Sequence, residues 1–269
     1  MTQQQEMMQL FDSINGNTPA DCELTRKFKP AYVITNEDLH TVQKYIPFPC
    51  KNALVVAASG DHPLFCKLYG AENITTFDMT YNAKLIMDIK IAALNELNIG
   101  EYWNLLRSLY NNRDILSVKN MDRITPKLDP IDQEYIAKAN KKLPLPIFSS
   151  GANVDSYMKH ALMPTEYKKL QEMNLKPLPF IWSDIANIDA QIEDTYDMIH
   201  ISNIFDYLKY ETIVNVLLNM LRSLNVGGCL FIGQQNSNHP EYLCKSVVRQ
   251  SKDWSLLASG RLNVLQRVR

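Results

Sequence analysis

Ala53-Leu54-Val55-Val56-Ala57-Ala58-Ser59-Gly60-Asp61-His62-Pro63 is the stretch that decides the fold. Its first six residues are a short continuous apolar run, the pattern of a parallel strand buried on both faces; a strand with one wet face would alternate. Pro47 and Pro49 break the chain ahead of it, and Ser59-Gly60-Asp61-His62-Pro63 ends it. Gly60 lets backbone approach a ligand closely, and Pro63 suits the first turn of a following helix. A second strand is expected at Ile74–Phe77, closed by Asp78, and Leu85, Ile86, Ile89, Ala93 and Leu97 then recur at helical spacing. Strand, loop, helix, strand, helix opens a βαβ arrangement and implies a parallel sheet.

The alternation stops at about Gly100 and resumes near Pro179. Between them, helical patterns over 102–110, 133–142 and 155–175 are separated by Pro126, Pro130, Pro144 and Pro146, so residues 100–178 read as a mainly helical insertion. Strands are then expected at Phe180–Trp182 and Tyr196–Ile201. An amphipathic helix follows with Ile213, Val214, Leu217, Leu218, Leu221 and Leu224 on one side. Gly227-Gly228 is expected to stop that helix ahead of a buried strand at Cys229–Ile232. The alternating Leu262–Val268 suits a last, antiparallel edge strand. Residues 1–50 read as a lead-in, polar at first, with a helix over 37–45 capped by Asn36. The expected architecture is an α/β, Rossmann-like fold over 51–99 and 179–269, interrupted by the insertion.

Composition narrows the function classes. The 269 residues are 46% hydrophobic and 21% charged, as in an ordinary globular chain, and 28 Lys plus Arg against 29 Asp plus Glu leave a net charge of -1. No global basic field exists to gather nucleic acid, so no nucleic-acid partner is expected. No apolar run approaches the length of a membrane span, and the polar N-terminus lacks the features of a signal peptide, so a cytoplasmic protein is expected. Five cysteines with no C-x-x-C pair fit buried thiols better than disulfides or zinc, and no metal site is expected. A homo-oligomer is compatible with this composition.

In an open parallel sheet, ligands bind outside the carboxyl ends of the strands where strand order reverses, so the loops after the early strands carry the chemistry. Ala58, Ser59, Gly60 and Asp61 follow the first strand. Asp78 and Met79 end the second, 18 residues after Gly60, at a distance where a carboxylate can accept both hydroxyls of a ribose. Ser183 and Asp184 follow the third expected strand, and Ser202 and Asn203 the fourth. Each alone also fits a plain turn or a helix cap. Together with Leu224-Asn225-Val226-Gly227-Gly228 before a fifth strand, their order resembles the class I SAM-dependent methyltransferase superfamily over 51–99 and 179–235. The resemblance implies S-adenosylmethionine (SAM) as cofactor. It gives Ser59-Gly60-Asp61 to the methionine part, Asp78 to the ribose and Asp184 to the adenine amino group. The departure is that the loop has only one glycine, Gly60, with Ala58 and His62 where the superfamily often has others.

A narrower resemblance rests on Val55 to Leu64, Phe77-Asp78-Met79 and Lys90-Ile91-Ala92-Ala93-Leu94, with Asn36-Glu37-Asp38 and Tyr102-Trp103 in support. These are similar to the bacterial family making betaine-lipid precursors, which transfers the 3-amino-3-carboxypropyl arm of SAM to diacylglycerol. It implies a SAM-dependent transferase acting on a small or lipid-like acceptor, by aminocarboxypropyl or methyl transfer. Asp206, Tyr207 and His62 are the candidates for proton transfer, with Asp206 the leading base. His200, inside an apolar strand, reads as a core histidine. The insertion is expected to act as an acceptor lid lined by Tyr102, Trp103, Tyr110, Tyr135 and Tyr157. The competing readings are a non-catalytic SAM-binding or partner-binding module, since folds outlast chemistry, and a nicotinamide oxidoreductase, which lacks its G-x-G-x-x-G.

Overall fold

The structure, a computed structural model, describes residues 2–15, 18–19, 22–110, 112, 114–143, 147–148, 162–192, 194–235 and 239–269. Its elements, in chain order, begin with α1 (Gln3–Ser13), α2 (Glu23–Arg26), a 3-10 helix at Leu39–Tyr45, β1 (Cys50–Val56), α3 (Asp61–Leu68), β2 (Ala71–Asp78) and α4 (Tyr81–Glu96). The described helices of the following region are α5 (Ile99–Leu109), α6 (Met121–Ile124), α7 (Pro130–Lys142) and α8 (Pro164–Glu172). The chain closes with β3 (Phe180–Trp182), β4 (Tyr196–His200), α9 (Tyr210–Arg222), β5 (Leu224–Gly233), α10 (His239–Gln250), β6 (Trp254–Ala258) and β7 (Leu262–Arg267). No helix among the described residues is long and apolar enough to cross a membrane. The chain divides into two compact units.

One unit, Glu37–Val56, His62–Phe77 and Pro179–Arg269, carries the sheet. Its seven strands run in the order β3-β2-β1-β4-β5-β7-β6. β1 pairs in parallel with β2 (Val55 opposite Thr76) and with β4 (Val55 opposite His200), and β4 with β5. β7 turns back antiparallel to both β5 and β6. Ala53 to Val56 are buried on both faces, as a central parallel strand requires. The Asp197 carboxylate ties strand beginnings together, accepting the amides of Lys51 and Asn52 and the side-chain amide of Asn225 at 2.8, 3.1 and 2.8 Å. The order reverses between β1 and β4, so the switch point lies where β1 and β4 end. This is the Rossmann-like α/β architecture expected.

Three local expectations are corrected here. Asp38, not Asn36, caps the 37–45 region, its carboxylate accepting the His40 amide at 3.2 Å, and the segment winds as a 3-10 helix. Gly227-Gly228 does not stop a helix; α9 has already ended at Arg222 and both glycines lie inside β5, where the β4 pairing shifts register. A Cβ on Gly228 would meet the carbonyl oxygens of Asn225, Tyr196 and Asp197 at 2.9 to 3.0 Å, so close backbone approach is what demands glycine. The alternating last segment is β7, which pairs on both sides; the edge strand is β6.

The other unit, Met1–Asn36, Ala57–Asp61 and Asp78–Leu178, is helical. Its axis is α4, which is buried nearly all round and so reads as apolar without a wide polar face. The carbonyls ending α4 have no intrahelical partners. The Tyr167 hydroxyl and Gln171 side-chain amide on α8 donate to Leu97 O at 2.9 and 3.0 Å, and Gln171 also to Leu94 O. Phe11 on α1 packs edge-on against Phe28 and Tyr135, with ring centres 5.3 and 4.8 Å away. The described part of 100–178 is mainly helical, as expected. Tyr102 and Tyr135 are core residues rather than open walls, exposed by 1% and 0%. Tyr157 lies outside the described residues.

Candidate functional site

Asp61 begins α3, and its carboxylate is fully engaged inside the helical unit. Oδ1 accepts the Lys90 ammonium at 2.5 Å; Oδ2 accepts the Thr35 amide at 2.7 Å and the Ser59 hydroxyl at 2.8 Å. Lys90 is 0% exposed, and burial pushes its pKa down against the pull of Asp61. The pair anchors the Ala58–Asp61 loop to α4. Gly60 is forced by the same packing: its φ is +80°, and a Cβ would come 2.8 Å from Met87 Cα. Ala58 is left-handed as well, at φ 47°, a conformation that costs a non-glycine residue energy and recurs at functional sites. The Ala58 amide donates to Asp78 Oδ2 at 3.0 Å, and Asp78 Oδ1 accepts the Thr80 amide at 3.0 Å. Sequence reading found the loop and Asp78 but missed Lys90, whose signal was a lysine on the apolar face of α4.

In the sheet unit a second cluster forms where β4 ends. His200 is the last residue of β4, and Ser202 follows in the left-handed region at φ 52°. The Ser202 amide donates to His200 Nδ1 at 3.1 Å, which places the His200 proton on Nε2. The Ser202 hydroxyl donates to Glu37 Oε1, and Glu37 Oε2 lies 3.4 Å from His62 Nε2. The two imidazoles meet edge to face with centres 4.9 Å apart. Burial raises the Glu37 carboxyl, but the His62 bond and charge, the His200 ring and Ser202 together carry it down to about 2. Burial, and then His62, push His200 down to about 3, so it stays neutral. Among the described residues, His62 Nδ1 and His200 Nε2 are buried with no hydrogen-bond partner. A Cβ on Gly233, the last residue of β5, would sit 2.9 Å from Glu37 Oε1, so glycine makes room for the carboxylate.

The remaining sequence candidates take simpler places. Asp184 caps a 3-10 turn, accepting the Ala186 amide at 3.0 Å, while the buried Ser183 hydroxyl donates to the Asp184 carbonyl at 3.1 Å. Asn203 Oδ1 accepts the Ser202 hydroxyl at 3.3 Å. Asp206 Oδ2 accepts the Gln235 amide at 2.8 Å; Tyr207 is 65% exposed and Met79 42%. Glu37, part of the Asn36-Glu37-Asp38 stretch that supports the narrower resemblance, and His200, read as a core histidine, are the members of the second cluster that sequence reasoning did not join to His62 and Ser202. They are distant in the chain, and no local spacing joins them.

No protein-family model and no curated protein matches the chain. Among solved structures it is similar to an rRNA methylase from Streptococcus thermophilus (10% identity, 88% of this chain and 99% of that one, TM-score 0.44). It is also similar to the N-methyltransferase NodS from Bradyrhizobium japonicum in complex with S-adenosyl-L-homocysteine (10% identity, 98% of both chains, TM-score 0.41). A third is TehB from Haemophilus influenzae (15% identity, 86% of this chain and 61% of that one, TM-score 0.42). At such identities and scores these likenesses carry no functional weight.

Proposed function

We propose that the chain is a SAM-dependent transferase that moves the 3-amino-3-carboxypropyl arm of SAM, or its methyl group, to a small or lipid-like acceptor. The observation that carries the reading is the sheet order, with its switch point between β1 and β4 and the reversed β7 between β5 and β6. A plain dinucleotide-binding sheet does not end in that reversed hairpin. Two left-handed non-glycine residues, Ala58 and Ser202, follow the two switch-point strands, as expected where backbone is shaped for a ligand.

In this reading Ala58, Ser59 and Gly60 present backbone to the methionine part of SAM, with Asp61 holding the loop from behind through Lys90. Asp78 accepts the ribose hydroxyls, with Met79 beside it. Ser183 and Asp184 after β3 serve the adenine, and Ser202 and Asn203 after β4 border the reacting end. Transfer of the arm is attack by an acceptor oxygen or nitrogen on the arm's terminal carbon. The bond from that carbon to sulfur breaks and its electron pair stays on sulfur, giving methylthioadenosine, while the acceptor's proton passes to a base. Asp206 is the proposed base, with Tyr207 as an exposed acceptor contact; His62 enters through its cluster with Glu37 and His200 rather than as a lone base. The test is incubation with SAM and hydroxyl- or amine-bearing acceptors, diacylglycerol included, with mass spectrometry of the nucleoside product. Methylthioadenosine is expected. S-adenosylhomocysteine would assign methyl transfer instead, and neither nucleoside above the enzyme-free control would remove the transferase reading.

A further inference from the structure

Glu37, His62 and His200 each offer one ligand atom, and these atoms lie within 4.8 Å of one another. The Glu37 Oε2 to His62 Nε2 distance of 3.4 Å is long for a charge-assisted hydrogen bond. It matches the separation of two ligands on a tetrahedral ion with bonds of about 2.1 Å, which is roughly 3.4 Å. His62 and His200 are exposed by only 2% and 1%, and among the described residues His200 Nε2 has no hydrogen-bond partner. A buried polar atom of that kind calls for an occupant. Glu37's other oxygen is held by the Ser202 hydroxyl, the outer contact that orients a ligating carboxylate.

We infer that Glu37, His62 and His200 form a binding site for one divalent transition ion of the zinc class. Two imidazoles and a carboxylate suit zinc, iron(II) or cobalt(II), whereas magnesium and calcium prefer all-oxygen sites. Three protein ligands leave a coordination position open. Loading draws the ligand atoms in from their 4.8 Å spread. It also moves the His200 proton from Nε2 to Nδ1, so the Ser202 amide gives up its bond to that nitrogen. One neutral hydrogen bond is small against the ligand bonds gained. The inference is independent of SAM: the site is built from side chains of the sheet unit alone.

The test uses the whole chain, stripped with a chelator and titrated calorimetrically with zinc chloride and, in parallel, cobalt chloride followed by visible absorption. One ion per chain is expected, with no heat from magnesium chloride. Glu37→Gln should weaken binding at least about 100-fold, since a ligand is lost outright where an outer-shell change costs about 10- to 100-fold. Gly233→Ala provides a second variant: the nearest atoms its Cβ would meet are those of the Glu37 carboxylate, at 2.9 to 3.1 Å. It should weaken the ion while circular dichroism and melting stay close to the parent. His40→Gln, at a partly exposed histidine outside the cluster, should change nothing. Absence of saturable zinc binding, or binding that survives both Glu37→Gln and Gly233→Ala unchanged, overturns the site. In that case the cluster is a metal-free hydrogen-bonded group.

Discussion

Replacing Asp88 by asparagine should change how stability depends on pH, because this carboxylate is buried beside a second one and shares the Lys84 ammonium with it. Lys84 Nζ lies 2.7 Å from Asp88 Oδ2 and 2.8 Å from Asp132 Oδ2, while the Tyr81 hydroxyl donates to Asp132 Oδ1 at 2.6 Å. Among the described residues, Asp88 Oδ1 is buried without a partner. Burial, reinforced by the Asp132 charge and only partly offset by Lys84, raises the Asp88 carboxyl from 3.8 to about 6. A folded-state pKa above the unfolded one means that stability is full below 3.8 and is lost as pH rises through about 6. With about 1.4 kcal/mol per pKa unit, the loss is about 1 kcal/mol near pH 4.5 and reaches about 3 kcal/mol near pH 7.5. Asp88→Asn cannot ionise, and its amide oxygen can still accept from Lys84. Urea unfolding of both proteins should therefore show the variant gaining about 2 kcal/mol on the parent between about pH 4.5 and about pH 7.5. Parallel curves over that range, or a relative gain by the parent, would refute the reasoning.

Other outcomes follow from the same packing. Gly60→Ala combines a left-handed φ with a 2.8 Å approach to Met87 Cα, so it should lower unfolding stability by roughly 2–4 kcal/mol. Calorimetric melting measures this, and an unchanged melting temperature would mean that the loop does not press on α4. Lys90→Met strands the Asp61 charge in the interior and should cost about 3–5 kcal/mol, whereas Lys90→Met with Asp61→Asn should recover part of it. Equal losses for the single and double variants would show that the ion pair is not what holds the loop. Tyr102→Ala and Tyr135→Ala should each destabilise the fold by about 3–5 kcal/mol, as core deletions do. A selective effect on acceptor binding with stability intact would return them to the lid role.

The central architecture was legible because it depends on local pattern: Val55-Val56-Ala57 is an apolar run bounded by proline and glycine, and α4 and α9 carry helical periodicity. The misreadings have physical causes. Gly227-Gly228 resembles a helix stop because glycine tolerates left-handed backbone in either setting, and only the close carbonyls of β4 reveal a strand irregularity. The polar Gln3-Gln4-Gln5 start gave no bounds for a helix, yet Met7, Met8 and Phe11 share one buried face and a Thr2–Gln5 capping box begins one. For the candidate site, Ser59, Gly60 and Asp78 could be found from strand ends. Lys90 and Glu37 could not, since their partners are set by tertiary packing: Asp61 lies 29 residues from Lys90, and Ser202 lies 165 from Glu37.

The most direct test of the proposed transferase is calorimetric titration of the purified chain with SAM. The account predicts saturable one-to-one binding, weakened by about 1.5–3 kcal/mol, roughly 10- to 100-fold, in Asp78→Ala, which loses hydrogen bonds to a charged acceptor. Circular dichroism separates that loss from misfolding. Absence of saturable SAM binding by the folded parent protein would contradict the account.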